Sequence, residues 1–216
     1  MASPSTEVPT TYSQIACVGA GLSAVALGAT LQRWYGLEDI RFFERHPTTG
    51  GTWYINKYPG QLETTQHDSN SEADNPEGCG CDVPSALYSF SFAQNPNWTK
   101  LMPSNKEIKA YVDGVVKTYN LLSKMTFGTE VVRSVWREEV NRWLLHLRDL
   151  KTGVEYYHEC QILFAATGQL VEPRPCEIPG TSDFEGSIFH SARWDHSVDL
   201  KGKNVVIIGN GCMYIR

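Results

Sequence analysis

The sequence predicts an α/β fold in which a parallel sheet is flanked by helix and extended by an antiparallel patch, three layers in all. Three observations lead there. A short apolar run, Gln14–Val18, feeds directly into Gly19-Ala20-Gly21-Leu22-Ser23-Ala24, and a helical spacing of apolar residues follows. A second apolar run, Ile40–Phe43, then ends on the acid Glu44. Farther on, Thr129–Val132 and Val135-Trp136 alternate as a strand that Trp143–Leu147 can meet as a hairpin.

Each element has a physical reason. Gly19 permits a tight turn, Gly21 lets backbone come close to a pyrophosphate, and Ala24 lets the helix lie against the strand. The free N–H groups at the helix start then face phosphates. Glu44 stands near the roughly 20-residue distance at which a carboxylate accepts bonds from ribose hydroxyls. A glycine turn without a ligand is the plain alternative, but strand, helix, second strand and acid all stand in order. The unit is Rossmann-like. Asn105–Lys124 carries apolar residues at helical spacing and lysines on its other side, a surface helix. Lys151-Thr152-Gly153 makes the turn after the hairpin, and Ile162–Ala166 returns as a buried strand. Prolines stiffen the linker from Glu172 to Pro179, and Val205–Ile208 predicts one more strand before Gly209-Asn210-Gly211.

Composition narrows the classes. With 216 residues, 41% hydrophobic and 20% charged, the chain suits a soluble globular protein of one large or two small domains. A net charge of −5 gives no electrostatic reason for nucleic acid or an anionic membrane as partner. No apolar run approaches the roughly 20 residues of a membrane span. Met1–Ser13 is rich in Ser, Thr and Pro and reads as a disordered lead-in rather than a secretory signal. Cys17, Cys79, Cys81, Cys160, Cys176 and Cys212 are scattered in a chain too long to need disulfides, which points to reduced thiols and the cytoplasm. Cys79-Gly80-Cys81 has no second ligand pair at zinc spacing, so no metal is expected. Gln61–Gly78 holds five acids and no Lys, Arg or aromatic residue, and reads as a mobile acidic insertion, bounded at 61–80.

Phe184-Glu185-Gly186-Ser187-Ile188-Phe189-His190-Ser191-Ala192-Arg193-Trp194-Asp195 has the spacing F-x-G-x-x-x-H-x-x-x-W-[P/D]. It resembles the fingerprint of flavin-dependent Baeyer–Villiger monooxygenases. Gly50-Gly51-Thr52-Trp53, Asn56-Lys57-Tyr58-Pro59-Gly60, Cys81-Asp82, Tyr88-Ser89-Phe90-Ser91-Phe92 and Ala166-Thr167-Gly168 are similar to that family's further motifs. The resemblance implies FAD at Gly19, Gly21, Ala24 and Glu44, with Thr52 and Trp53 against it and a backbone contact near Val131. It sets Asp82, Val83 and Tyr88 near flavin and nicotinamide, with Asp82 also holding an arginine. It places NADPH at Gly209 and Gly211 and makes His190 a linker residue that couples domain position to cofactor state. The reaction implied is NADPH reduction of FAD, then oxygen insertion beside a ketone carbonyl by way of a flavin peroxide.

The domain plan that follows is a lead-in at 1–13, an FAD-binding part at 14–170, a fingerprint linker at 171–202, and the start of a second, NADPH-binding Rossmann domain at 203–216. Five residues follow Gly211, and Tyr214 stands where a small residue is expected. Three readings stay open: an oxygenase shortened by a gene-model or splicing event and inactive as this chain, an FAD-binding pseudoenzyme, or half of a split flavoenzyme. The partners implied are a small ketone or related metabolite, together with a complementing chain or a second copy.

Overall fold

The computed structural model describes residues 10–58, 79–169 and 172–209. Of the acidic insertion expected at 61–80 only Cys79 and Gly80 are described, and there the expectation is corrected, since Cys79 is buried with its N–H on Tyr58 O and Gly80 bridges Ser104; the rest of it and Gly211 lie outside these residues. Those described fall into two compact units, one from the chain up to Gly51 with Val112–Gln169, the other from Thr52–Tyr111 with 172–209.

The first unit is built on a six-stranded sheet in the order β3-β2-β1-β6-β5-β4. The strands are β1 (Thr10–Val18), β2 (Ile40–Glu44), β3 (Met125–Phe127), β4 (Thr129–Arg137), β5 (Arg142–Asp149) and β6 (Glu155–Ala165). β1 runs parallel to β2 and to β6, and β2 parallel to β3. β6, β5 and β4 are antiparallel neighbours. The antiparallel patch is therefore continuous with the parallel sheet, because the eleven residues of β6 are long enough to serve both. β6 is paired on both sides only as far as Cys160; Ile162 and Phe164 beyond it are exposed.

Helix α1 (Leu22–Tyr35) ends where Gly36 takes φ 63° and donates its N–H to Gln32 O, while Leu37 N–H reaches Leu31 O. This left-handed ending satisfies carbonyls the helix leaves open, and glycine adopts it without a Cβ penalty. One core cluster joins Ala24 of α1 to Ile15, Cys17, Ile40 and Phe42. A second gathers Ala16, Phe43, Leu145, Leu147 and Cys160.

The lead-in expected at 1–13 is corrected at Thr10–Ser13, which form the first part of β1 against Tyr157–Cys160. Polar residues make a strand here because a buried histidine satisfies them. His158 is 1% exposed. Its Nε2 lies 2.9 Å from Ser13 Oγ and its Nδ1 2.8 Å from Thr11 Oγ1. Ser13 Oγ already donates to Ile15 O, so it accepts from Nε2–H and the neutral tautomer follows. Burial first, and the Arg41 charge second, bring the His158 pKa down to about 4, against the smaller opposing effects of Asp39 and Glu159. The folded state thus favours the neutral ring. Its stabilising effect is full above the ordinary value near 6.5, declines as pH falls from there, and is gone below about 4. We predict that urea unfolding between pH 7 and 4 shows a loss of at most about 3 kcal/mol from this group, absent in His158→Gln. Parallel decline in both proteins would remove His158 as the cause.

The second unit holds α2 (Thr52–Ile55), the first residues of α3 (Asn105–Thr118) and a series of turns. The helix expected over Asn105–Lys124 ends at Thr118, and Asn120 takes φ 50° before a 3-10 turn at Leu122–Lys124. Residues 203–209 have no regular secondary structure, and Val205–Ile208 are exposed, which corrects the strand expected there. An apolar β-branched run becomes a strand only against a neighbour's ladder, and none of the described segments pairs with it.

Candidate cofactor site

In the first unit the site is made of two glycine turns that interlock. Gly19 leaves β1 with φ 107° and donates its N–H to Phe43 O. A Cβ built on it would fall 2.5 Å from Ala166 O, so only glycine lets β1 and the end of β6 pass this closely. Gly21 caps α1 from an extended conformation with no side-chain bond. The N–H groups of the first turn are thereby left to an outside acceptor. The second turn lies across the first: Gly50 N–H donates to Ala20 O at 3.0 Å, and a Cβ on Gly51 would stand 3.1 Å from Gly21 Cα. Gly50 and Gly51 both carry positive φ, and Thr49 is tied to Asp113 Oδ1. Ala24 is fully buried against Cys17 and Phe42, as close packing of helix on strand requires.

Glu44 behaves differently from its expected role alone. It is 6% exposed, and its Oε2 accepts from Ala20 N–H while Oε1 accepts from His46 N–H, both at 2.8 Å. The carboxylate clamps the middle of the glycine turn. Val131 is part-buried on the second core cluster, next to a β-bulge that leaves Val132 out of register with β5. A bulge frees backbone polar groups at one position.

In the second unit the Trp53 and Tyr88 rings meet edge to face at 5.1 Å. Burial, then the nearby Asp82 and Cys81, push the Tyr88 phenol up to about 12, so it stays protonated. Asp82 is exposed at a bend beside part-buried Val83, and no cation pairs with it among the described residues. Thr52 opens α2, where its carbonyl accepts from Asn56 N–H. The fingerprint folds on itself. A Cβ on Gly186 would strike the Phe184 ring, and Phe189 packs edge to face on Trp194 at 5.0 Å. His190 Nδ1 accepts from Ala192 N–H at 3.0 Å, so the proton of the neutral ring sits on Nε2. Asp195 holds Ser197 through both its N–H and its hydroxyl.

The side-chain-free backbone at Gly19, Gly21 and Gly51 fits the pyrophosphate of a dinucleotide. Gly209 has φ 132° with nothing within 4 Å of its Cβ direction and no ladder beside it among the described residues, and the rest of the second glycine turn, Gly211 included, lies outside them. The glycine pair Gly50-Gly51 was visible as a motif, but its crossing of the first turn was not.

These features define a dinucleotide-binding α/β protein. The chain matches the family described as flavin-binding monooxygenase-like over residues 12–214, and it belongs to that family. A Baeyer–Villiger monooxygenase of Streptomyces coelicolor is 37% identical over 206 residues, covering 95% of this chain and 35% of that protein. One of Pseudomonas aeruginosa is 33% identical over the whole chain and 36% of its own length. Among solved structures, a closed cyclohexanone monooxygenase superposes with TM-score 0.72 at 28% identity, covering 94% of this chain and 34% of that one. A steroid monooxygenase bound to NADP gives 0.69 at 32% identity, with 93% and 35% covered. The chain thus spans little more than a third of the relatives it matches. Among the described residues no helix is long and apolar enough to cross a membrane.

Proposed function

We propose that this chain is an FAD-holding part of a Baeyer–Villiger-type monooxygenase that uses NADPH to oxygenate a ketone or related carbonyl metabolite. The interlocked turns at Gly19–Gly21 and Gly50-Gly51 carry the reading. FAD, when bound, supplies the redox and oxygen-transfer chemistry. The chain's own residues do the holding. Gly19, Gly21 and the start of α1 receive the pyrophosphate, and Glu44 fixes the turn while keeping acceptor capacity for a ribose hydroxyl. Trp53 and Tyr88 supply an aromatic pair for the flavin ring, and Asp82 a carboxylate able to orient a cation. His190 is a positioning residue, its Nε2–H turned away from the backbone bond that fixes the tautomer. The five described cysteines are free, which supports a cytoplasmic setting. The exposed edge of β6 beyond Cys160 supports a further strand from a complementing chain or a second copy.

A flavin titration of the purified chain tests this reading. Gly21 has an ordinary φ of −80°, and a Cβ there would make only ordinary contact, 3.6 Å from Gly51 Cα. Gly21→Ala should therefore leave the unfolding midpoint near the parent's and weaken FAD binding at least about tenfold, or about 1.4 kcal/mol. Equal affinity in the two proteins would sink the assignment of the pyrophosphate to this turn.

A further inference from the structure

The loop from Tyr88 to Trp98 has almost no regular structure, yet it carries the ring that packs on Trp53. Its tightest point is the turn Phe90-Ser91-Phe92-Ala93, closed by Ala93 N–H donating to Phe90 O at 3.0 Å. Of the two central residues only Ser91 favours a turn by itself, and weakly. Further stabilisation comes from one side chain on α3. Phe90 N–H donates to Tyr111 Oη at 2.7 Å, and Tyr111 Oη donates to Ala93 O at 2.8 Å. The hydroxyl stands between the two groups that would otherwise exchange the second bond of the bridge between Phe90 and Ala93. The Tyr111 ring also packs on Trp98 at 5.3 Å and on Phe90 at 5.8 Å. Ser89 Oγ, accepting from Asn95 N–H and Trp98 Nε1–H, ties the far end of the loop back to its start.

We propose that Tyr111 is a positioning residue: its hydroxyl, inserted between Phe90 N–H and Ala93 O, sets the loop that holds the Tyr88 ring against Trp53. Its consequence for cofactor binding rests on the FAD reading above. Removing the hydroxyl leaves a part-buried donor and a part-buried acceptor at the turn without their shared partner, so the loop relaxes and the aromatic pair with it.

The experiment uses 5-fluorotryptophan labelling of the whole chain and fluorine NMR. In Tyr111→Phe the Trp53 and Trp98 resonances should shift or broaden. Those of Trp34, Trp136 and Trp143, which belong to the sheet unit, should stay in place. FAD affinity should fall about tenfold. A variant that merely lost stability would leave the folded-state Trp53 resonance where it was, and that result overturns the proposal. Should Tyr111→Phe fail to fold, Ser89→Ala releases the same loop from its other anchor, and an unmoved Trp53 resonance there overturns it equally. If the parent chain binds no FAD, the functional reading falls, while the Trp53 resonance still decides the role of Tyr111.

Discussion

Gly19→Ala should lose about 2–6 kcal/mol of stability, a large share of the roughly 5–15 kcal/mol that hold a domain folded. Two independent effects act at this position. A φ of 107° is one that L side chains rarely adopt, and holding it costs on the order of 1–3 kcal/mol. The new methyl would also stand 2.5 Å from Ala166 O, a backbone atom fixed by Ala166 N–H donating to Val18 O. Neither side can yield without parting β1 from β6, and such overpacking costs about 1–3 kcal/mol more. Urea unfolding of the cofactor-free chain measures it. The contrast with Gly21→Ala is the informative part, since that variant should keep its stability and lose flavin. If the two alanines behave alike, the division between a folding glycine and a binding glycine is wrong.

What could be read from the sequence was local. Gln14–Val18, the glycine turn, α1 and Ile40–Glu44 announce themselves because periodicity and turn chemistry agree over a short span. The hairpin of β4 and β5 did so as well, with Asp149 Oδ1 receiving the Lys151 and Thr152 N–H groups in the following turn. What stayed hidden depends on partners far along the chain. Thr11 and Ser13 look like loop residues until His158, 145 positions beyond Ser13, takes up their hydroxyls. β3 is three residues long and exists only because it lies beside β2. Val205–Ile208 shows the converse: a good strand composition without a ladder is not a strand. The family motifs named candidate site residues but not what those residues touch. The spacing pointed to a ribose acceptor at Glu44, whereas the geometry also makes it a clamp on the turn. Tyr111 lay unmarked inside a helical pattern, since nothing in its spacing tells that its hydroxyl closes a turn more than fifteen positions earlier.

Glu44→Leu should destabilise the cofactor-free chain by about 1–4 kcal/mol, because the buried Ala20 N–H and the part-buried His46 N–H lose their acceptor and an unsatisfied buried donor costs about 1–3 kcal/mol. Leucine keeps the bulk, so packing changes little and the loss reports on Ala20 and His46 N–H. Glu44→Gln should fall between leucine and the parent, since its amide oxygen satisfies one of the two donors and its NH₂ opposes the other. FAD binding should fail in the leucine variant, because the Ala20 peptide is free to rotate once its N–H is released. Gly50 N–H donates to the carbonyl of that same Ala20, so the second turn loosens with the first. A carboxylate serving a ribose hydroxyl alone predicts a different pattern: unchanged stability without flavin, and weaker binding with it. Unfolding curves recorded before any FAD is added separate the two, and a midpoint equal to the parent's would show that Glu44 does not hold the turn.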